Sequence, residues 1–231
     1  ASQIKLMAGG GVSSLYDQLE DVQYFEDELH AAVMAAEDAG TYVMVHVYVP
    51  EAIRRAIRAG VKSIEHGQLI DEPTMKLIAE KGVWLSMQPF IGEGNNHYTN
   101  PVQQAKHELV VQGTDRAYQL AKKYGVKLAW GTDLLFSPAN ARNQNLNIEK
   151  MTRWFSNFEI LKMITHDNAE LLALSGRRNP YPGKLGVIEE GALADLIVVD
   201  GNALEDIKVL TDPGKNMLLI MKDGKIYKND L

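Results

Sequence analysis

The chain contains no cysteine, so neither disulfides nor thiolate metal ligands contribute to it, and the absence fits a cytoplasmic or a periplasmic home equally. No apolar run approaches the ~20 residues that span a bilayer, and residues 1–20 lack the charged-then-apolar order of a signal peptide. A membrane is therefore not an expected partner. A leader could still precede a native start, which leaves the compartment open. A basic excess is missing too: the formal net charge is -6 and the lysines and arginines are scattered among acidic residues. Such a surface offers no stripe for a phosphate backbone, which excludes nucleic acid as a partner. There is also no internal repeat or low-complexity tract.

What the 231 residues do contain, 45% hydrophobic and 23% charged, is the balance of a globular protein of one or two domains with a sizeable core. Short β-rich runs at 4–8, 42–47, 62–66, 83–87 and 126–130 alternate with helical patterns at 24–38, 50–59, 71–80 and 104–123. The strand runs are nearly continuous in apolar residues, as in a parallel sheet covered by helices. This alternation predicts an α/β fold.

Polar residues interrupt that pattern at the C-terminal ends of the strands: Lys5 before Gly9-Gly10-Gly11, then His46, His66-Gly67, Gln88 and Asp133. A doubly wound sheet gathers its ligands at one switch point, whereas a (β/α)8 barrel spreads them over many strand ends. The spread here favours the barrel. Residues 1–175 read as about five strands of one, the C-terminal portion of a TIM barrel. Residues 176–231 read as part of a small β-sandwich domain, with strands at 195–199, 217–222 and 225–228 and a hairpin at Asp223-Gly224.

His46 and His66 lie 20 residues apart, one compact strand-helix-strand unit. Histidines at equivalent ends of adjacent parallel strands can converge on one zinc-like ion, or each can serve as a hydrogen-bonded core residue. Asp133, in Gly131-Thr132-Asp133, is either a turn cap or a carboxylate that binds metal and carries a proton. The ammonium of Lys5 has three donors and no lone pair, so as it stands it binds substrate or an acidic group, not metal. Carboxylated by carbon dioxide, it becomes an anion able to bridge two ions about 3.5–4 Å apart.

The stretches Ile4 to Val12, Val45 to Ile53, Ser63 to Gly67 and Gly131 to Asp133 resemble, in order, strands 4, 5, 6 and 8 of the amidohydrolase superfamily barrel. The similarity is to the branch of imidazolonepropionase-like proteins and metal-dependent Xaa-Pro dipeptidases, or prolidases. Thr165 to Leu172 and Gly183 to Asp200 resemble the superfamily's tail. The resemblance implies a hydrolase using two divalent ions, zinc being the expected metal. It makes Lys5 the carboxylated bridge, His46 and His66 the ligands of the more exposed ion, and Asp133 both a ligand of the buried ion and the general base. A metal-bridging hydroxide would attack an amide carbonyl, and Asp133 would carry its proton to the leaving nitrogen. Tyr48, two residues after His46, would bind a substrate carboxylate or the oxyanion through its hydroxyl, or else pack at the rim.

The other histidines are given plainer roles. His97 and Tyr98 fall in a Gly- and Asn-rich segment, 89–101, that reads as a lid-like loop of solvated residues, and His30 and His107 as helix-surface residues. His166, with Asp167 and Asn168, reads as the start of the last helix, capped by Thr165 or Asp167.

One departure from the superfamily pattern is clear: there is no His-x-His pair anywhere in the chain. With a barrel taking about 250 residues, the expectation is that three strands and two ligands are supplied by a missing N-terminal segment of the same or another chain. Five strands alone would leave open sheet edges. The expected substrate is a dipeptide, such as Xaa-Pro, or another small amide. The alternatives are a cyclic-amide hydrolase or deaminase of the same superfamily, and a non-catalytic fragment; a second copy of the chain is left open as a partner.

Overall fold

In the computed structural model, residues 1–92, 98–134 and 138–231 are described, the last stretch with side chains from residue 140 onward; His97 lies outside them. Five strands, β1 (Ile4–Met7), β2 (Val43–Val47), β3 (Ser63–His66), β4 (Trp84–Met87) and β5 (Leu128–Trp130), form one sheet in sequential order, and every pairing is parallel. Between them run α1 (Glu26–Asp38), α2 (Pro50–Arg58), α3 (Glu72–Lys81) and α4 (Pro101–Tyr124). This is the repeating unit of the (β/α)8 barrel, in five of its eight strands.

Local sequence accounts for these elements. Pro50 starts α2, where its missing N–H is not needed. Asp71 caps α3 by accepting from the Thr74 N–H at 2.9 Å, and Asn100 caps α4 by accepting from that of Val102. Gly82 and Gly125 end α3 and α4 in the left-handed conformation. The strand residues Val45, Val47, Ile64, Leu85 and Met87 are fully buried, as are Ile53 and Ala56 of α2 and Met75 and Ile78 of α3. Each large side chain buried in this layer contributes about 1.5–3 kcal/mol. The other face of the sheet is different in kind: it carries Lys5 and Met7, both exposed, opposite Met44 and His46 in register.

The chain divides into two compact units, residues 1–131 with 171–180, and residues 132–170 with 181–231. The first holds the parallel sheet. The second holds β6 (Leu196–Val199), β7 (Met217–Lys222) and β8 (Lys225–Asn229), a three-stranded antiparallel sheet. Its β7–β8 turn places Asp223 and Gly224 at φ 50° and 72°, the twist a two-residue hairpin needs.

The helical run near the end of the barrel-like region starts earlier than expected. Ser156 is its cap, in a capping box with Glu159. Thr165 and Asp167 lie in a π turn inside the run, where Thr165 donates back to the Leu161 carbonyl and His166 contacts Asp167. They cap nothing. No helix among the described residues is long and apolar enough to cross a membrane.

Candidate active site

The mouth of the parallel sheet is built by short links between neighbouring strand ends. The Ala8 N–H donates to the His46 carbonyl at 3.0 Å and the Gly67 N–H to that of Val47 at 2.9 Å. Gly10 sits where the following loop folds back on it, so closely that a Cβ there would lie 1.8 Å from the Gln18 carbonyl oxygen. Only glycine fits, and the turn aims the Gly10 carbonyl at His46, whose Nε2 lies 3.0 Å away. A carbonyl can only accept, so Nε2 carries the proton and the lone pair of neutral His46 is on Nδ1.

His66 arrives by a different route. Strict alternation would send it to the face opposite Glu65, but its backbone is left-handed at φ 80°, rare for a residue with a Cβ. Its ring packs against that of His46, centroids 4.4 Å apart and planes at 75°. The His66 Nδ1–H donates to Gln88 Oε1 at 2.7 Å, which puts its lone pair on Nε2. Tyr48 stacks on His66 at 4.9 Å and meets His46 edge-on at 5.2 Å. All three are buried.

Burial pushes both imidazoles toward the neutral form. His46 lies below its ordinary value through burial, aided by the charge of Lys5 and opposed by the Gly10 carbonyl and Asp17. His66 lies well below it, through burial first and then the neighbouring His46. Lys5 acts on both rings, which agrees with its place on the same sheet face. Neutral nitrogen donors suit zinc and similar metals.

Thus His46, His66 and Tyr48 come together and Lys5 shares their face. Asp133 belongs to the second unit, where it is exposed and takes a left-handed φ of 48°. Among the described residues no group of three or more His, Cys, Asp or Glu side chains is arranged to hold a metal ion. The histidine pair fits a metal in donor chemistry and tautomer, as two of the roughly four ligands such an ion takes.

Four residues near this pair are not singled out by sequence reasoning for what they do. Gln88 joins His66 as just described, and the Gln68 amide donates to both the side-chain and main-chain oxygens of Gln88 at 3.4 Å. Glu65 is in register with His46 and accepts from the Ser63 hydroxyl at 2.6 Å; burial pushes the Tyr42 hydroxyl up to about 12, and the charge of Glu65 adds to it. A glutamate inside an apolar strand is the same signal that marks Lys5.

Lys106 of α4 is buried, yet its ammonium donates to the Gly11, Ser14 and Asp17 carbonyls, the first two at 3.3 and 2.9 Å. It clamps the loop that carries Gly10. Sequence separations of 89 to 95 residues hide that contact.

Two loop-and-helix expectations are corrected. Tyr98 is partly buried against the cluster of Val12, Leu19, Tyr48 and Val110, with its hydroxyl 3.1 Å from Ser13 Oγ. His107 is not a surface residue but is half-buried beside Phe90 and Tyr98, ring centroids 5.8 and 5.5 Å away. His30 is exposed on α1, as expected, with Nδ1 3.3 Å from the Ala59 carbonyl.

The model of the Amidohydrolase family matches residues 1–227. The ochratoxinase of Aspergillus niger is 34% identical over 232 residues, covering 99% of this chain and 46% of its own length. A crystal structure of a prolidase complexed with N-methylphosphonate-L-proline superposes with a TM-score of 0.88 at 37% identity, over 99% of this chain and 55% of that one. A Xaa-Pro dipeptidase with methionine bound in the active site gives 0.84 at 32% identity, over 99% and 55%. The chain spans about half the length of the relatives it matches.

Proposed function

Since the chain belongs to the amidohydrolase family, we propose that the full-length protein is a metal-dependent hydrolase that cleaves the amide bond of a dipeptide, Xaa-Pro dipeptides being the substrate class. The observation that carries this reading is the His46–His66 pair: two buried neutral imidazoles 4.4 Å apart, each with its other nitrogen engaged by an oxygen acceptor. Metal-binding histidines are held in this way. The prolidase and Xaa-Pro dipeptidase among the similar structures support the substrate class.

In this reading His46 through Nδ1 and His66 through Nε2 hold a divalent ion, zinc by preference. Lys5, carboxylated on its amine, would serve both this ion and a second one, and Asp133 would be a ligand of the second. Bound metal would polarise the scissile carbonyl and lower the pKa of water. Asp133 takes the proton of the attacking water and delivers it to the departing nitrogen. Tyr48, stacked on His66, steadies the ring and offers its hydroxyl to the substrate's carboxylate or carbonyl oxygen.

A panel of Xaa-Pro dipeptides set against cyclic imidazolone-like amides and amino-purines tests the assignment on the full-length protein. The reading expects turnover of the dipeptides alone, reduced by about 100-fold or more in Asp133→Asn. Turnover of the cyclic substrates only, or full activity in Asp133→Asn, would reject it.

A further inference from the structure

We infer that Gln88 is a positioning residue for this centre: its side-chain carbonyl locks His66 in the Nδ1–H tautomer and so directs the Nε2 lone pair to the cation, while Gln68 locks Gln88. The inference deepens the metal-hydrolase reading and rests on it. It concerns residues of two adjacent strands, since His66 ends β3 and Gln88 follows β4.

Neutral imidazole has two tautomers, and which one is present is decided by the partner of the other nitrogen. His46 has a main-chain partner, the Gly10 carbonyl. His66 depends on a side chain. Gln88 is almost fully buried, and its Oε1 receives two donors, His66 Nδ1–H at 2.7 Å and the Gln68 amide at 3.4 Å. Turning the Gln88 amide over would set its NH2 group against the Gln68 amide in a buried pocket, and Gln68 is kept from turning with it by its second bond, to the Gln88 main-chain carbonyl. Each unmet buried donor disfavours that state by about 1–3 kcal/mol, enough to keep one orientation.

Gln68 is itself held. Its side chain is buried, and α4 presses on its backbone through Gly113, where a Cβ would stand 2.3 Å from the Gln68 carbonyl oxygen. The arrangement therefore runs from α4 through Gln68 and Gln88 to the ring of His66.

Zinc affinity of the full-length protein, measured by competition with a chromophoric chelator, tests the role when wild type, Gln88→Leu and Gln88→Glu are compared. Gln88→Leu cannot accept and is expected to bind zinc about 10–100-fold more weakly, whereas Gln88→Glu, which accepts at the same place, stays within about threefold of wild type. A Gln88→Leu protein that binds as tightly as wild type, or a Gln88→Glu protein as weak as Gln88→Leu, overturns the role and leaves the metal reading standing. A wild type that binds no zinc overturns both. The 15N shifts of histidine-labelled, metal-free wild type give a readout independent of any variant's folding. They should show His66 protonated on Nδ1 and bare on Nε2, and the reverse pattern refutes the inference.

Discussion

The imidazoles of His46 and His66 meet edge to face, 4.4 Å between centroids, at the ends of two adjacent parallel strands. They are hydrogen-bonded through opposite nitrogens, Nε2 of the first and Nδ1 of the second. A pair kept only for packing would need neither bond, since an aliphatic residue would fill the space without polar groups to satisfy. Replacing either histidine by alanine is expected to weaken zinc binding and dipeptide turnover of the full-length protein by more than about 100-fold, a larger loss than removal of a supporting partner. Equilibrium dialysis against zinc and initial rates check it.

Lys5 provides a chemically distinct prediction. Its carboxylation needs carbon dioxide and an amine, and arginine cannot substitute as a carbamate donor. Metal-free protein reloaded with zinc in degassed buffer should regain activity slowly and bicarbonate should speed the recovery; Lys5→Arg should recover in neither buffer. Recovery of wild type at one rate regardless of bicarbonate speaks against the carbamate.

Removal of the Lys106 ammonium should be felt in stability. Lys106→Met keeps the aliphatic stem but strips three carbonyls, of Gly11, Ser14 and Asp17, of their donor. Partly rehydrated, they account for about 2–4 kcal/mol, or a melting temperature lower by roughly 5–15 °C. Because the same loop presents the Gly10 carbonyl to His46, zinc affinity should fall alongside. A Lys106→Met protein melting with wild type would show that the clamp contributes nothing.

Asp71 offers a pH test remote from the site. Partial burial raises its carboxyl, but bonds from the Thr74 hydroxyl and N–H and from Arg54 outweigh this and bring it below its ordinary 3.8. A depressed folded value means that the stabilisation is complete above the unfolded value and disappears as pH falls through the folded one. Asp71→Ala should therefore be less stable by about 1 kcal/mol at neutral pH, with the gap to wild type closing only below the ordinary 3.8. Denaturant titrations at several pH values measure it; a gap that widens on acidification would contradict the assignment.

Much of this architecture is legible in the amino acids. Val43, Val45 and Val47 alternate with Met44 and His46, so both the strand and the face of His46 can be read directly, and β1 to β5 fall within two residues of the expected ranges. Lys5, His46 and His66 stand out because a charged or imidazole group at the end of an apolar strand needs a reason. What the sequence hides is conformation and distance along the chain. Nothing in Glu65-His66-Gly67 announces a left-handed histidine that breaks the alternation.

The partnership of Gln88 with His66 depends on knowing which strands are neighbours, and the Lys106 clamp on contacts across some 90 residues. Tyr48 shows the same limit. Its position two residues after His46 indicates proximity, yet its stacking on His66 and its burial follow only from the three-dimensional packing.

The central claim is that this pair of histidines serves a metal-dependent hydrolase, and metal depletion of the full-length protein tests it most directly. Purified protein should carry about two equivalents of divalent metal per chain, lose Xaa-Pro hydrolysis when a chelator removes them, and regain it on addition of zinc. Undiminished hydrolysis by metal-free protein would contradict the account.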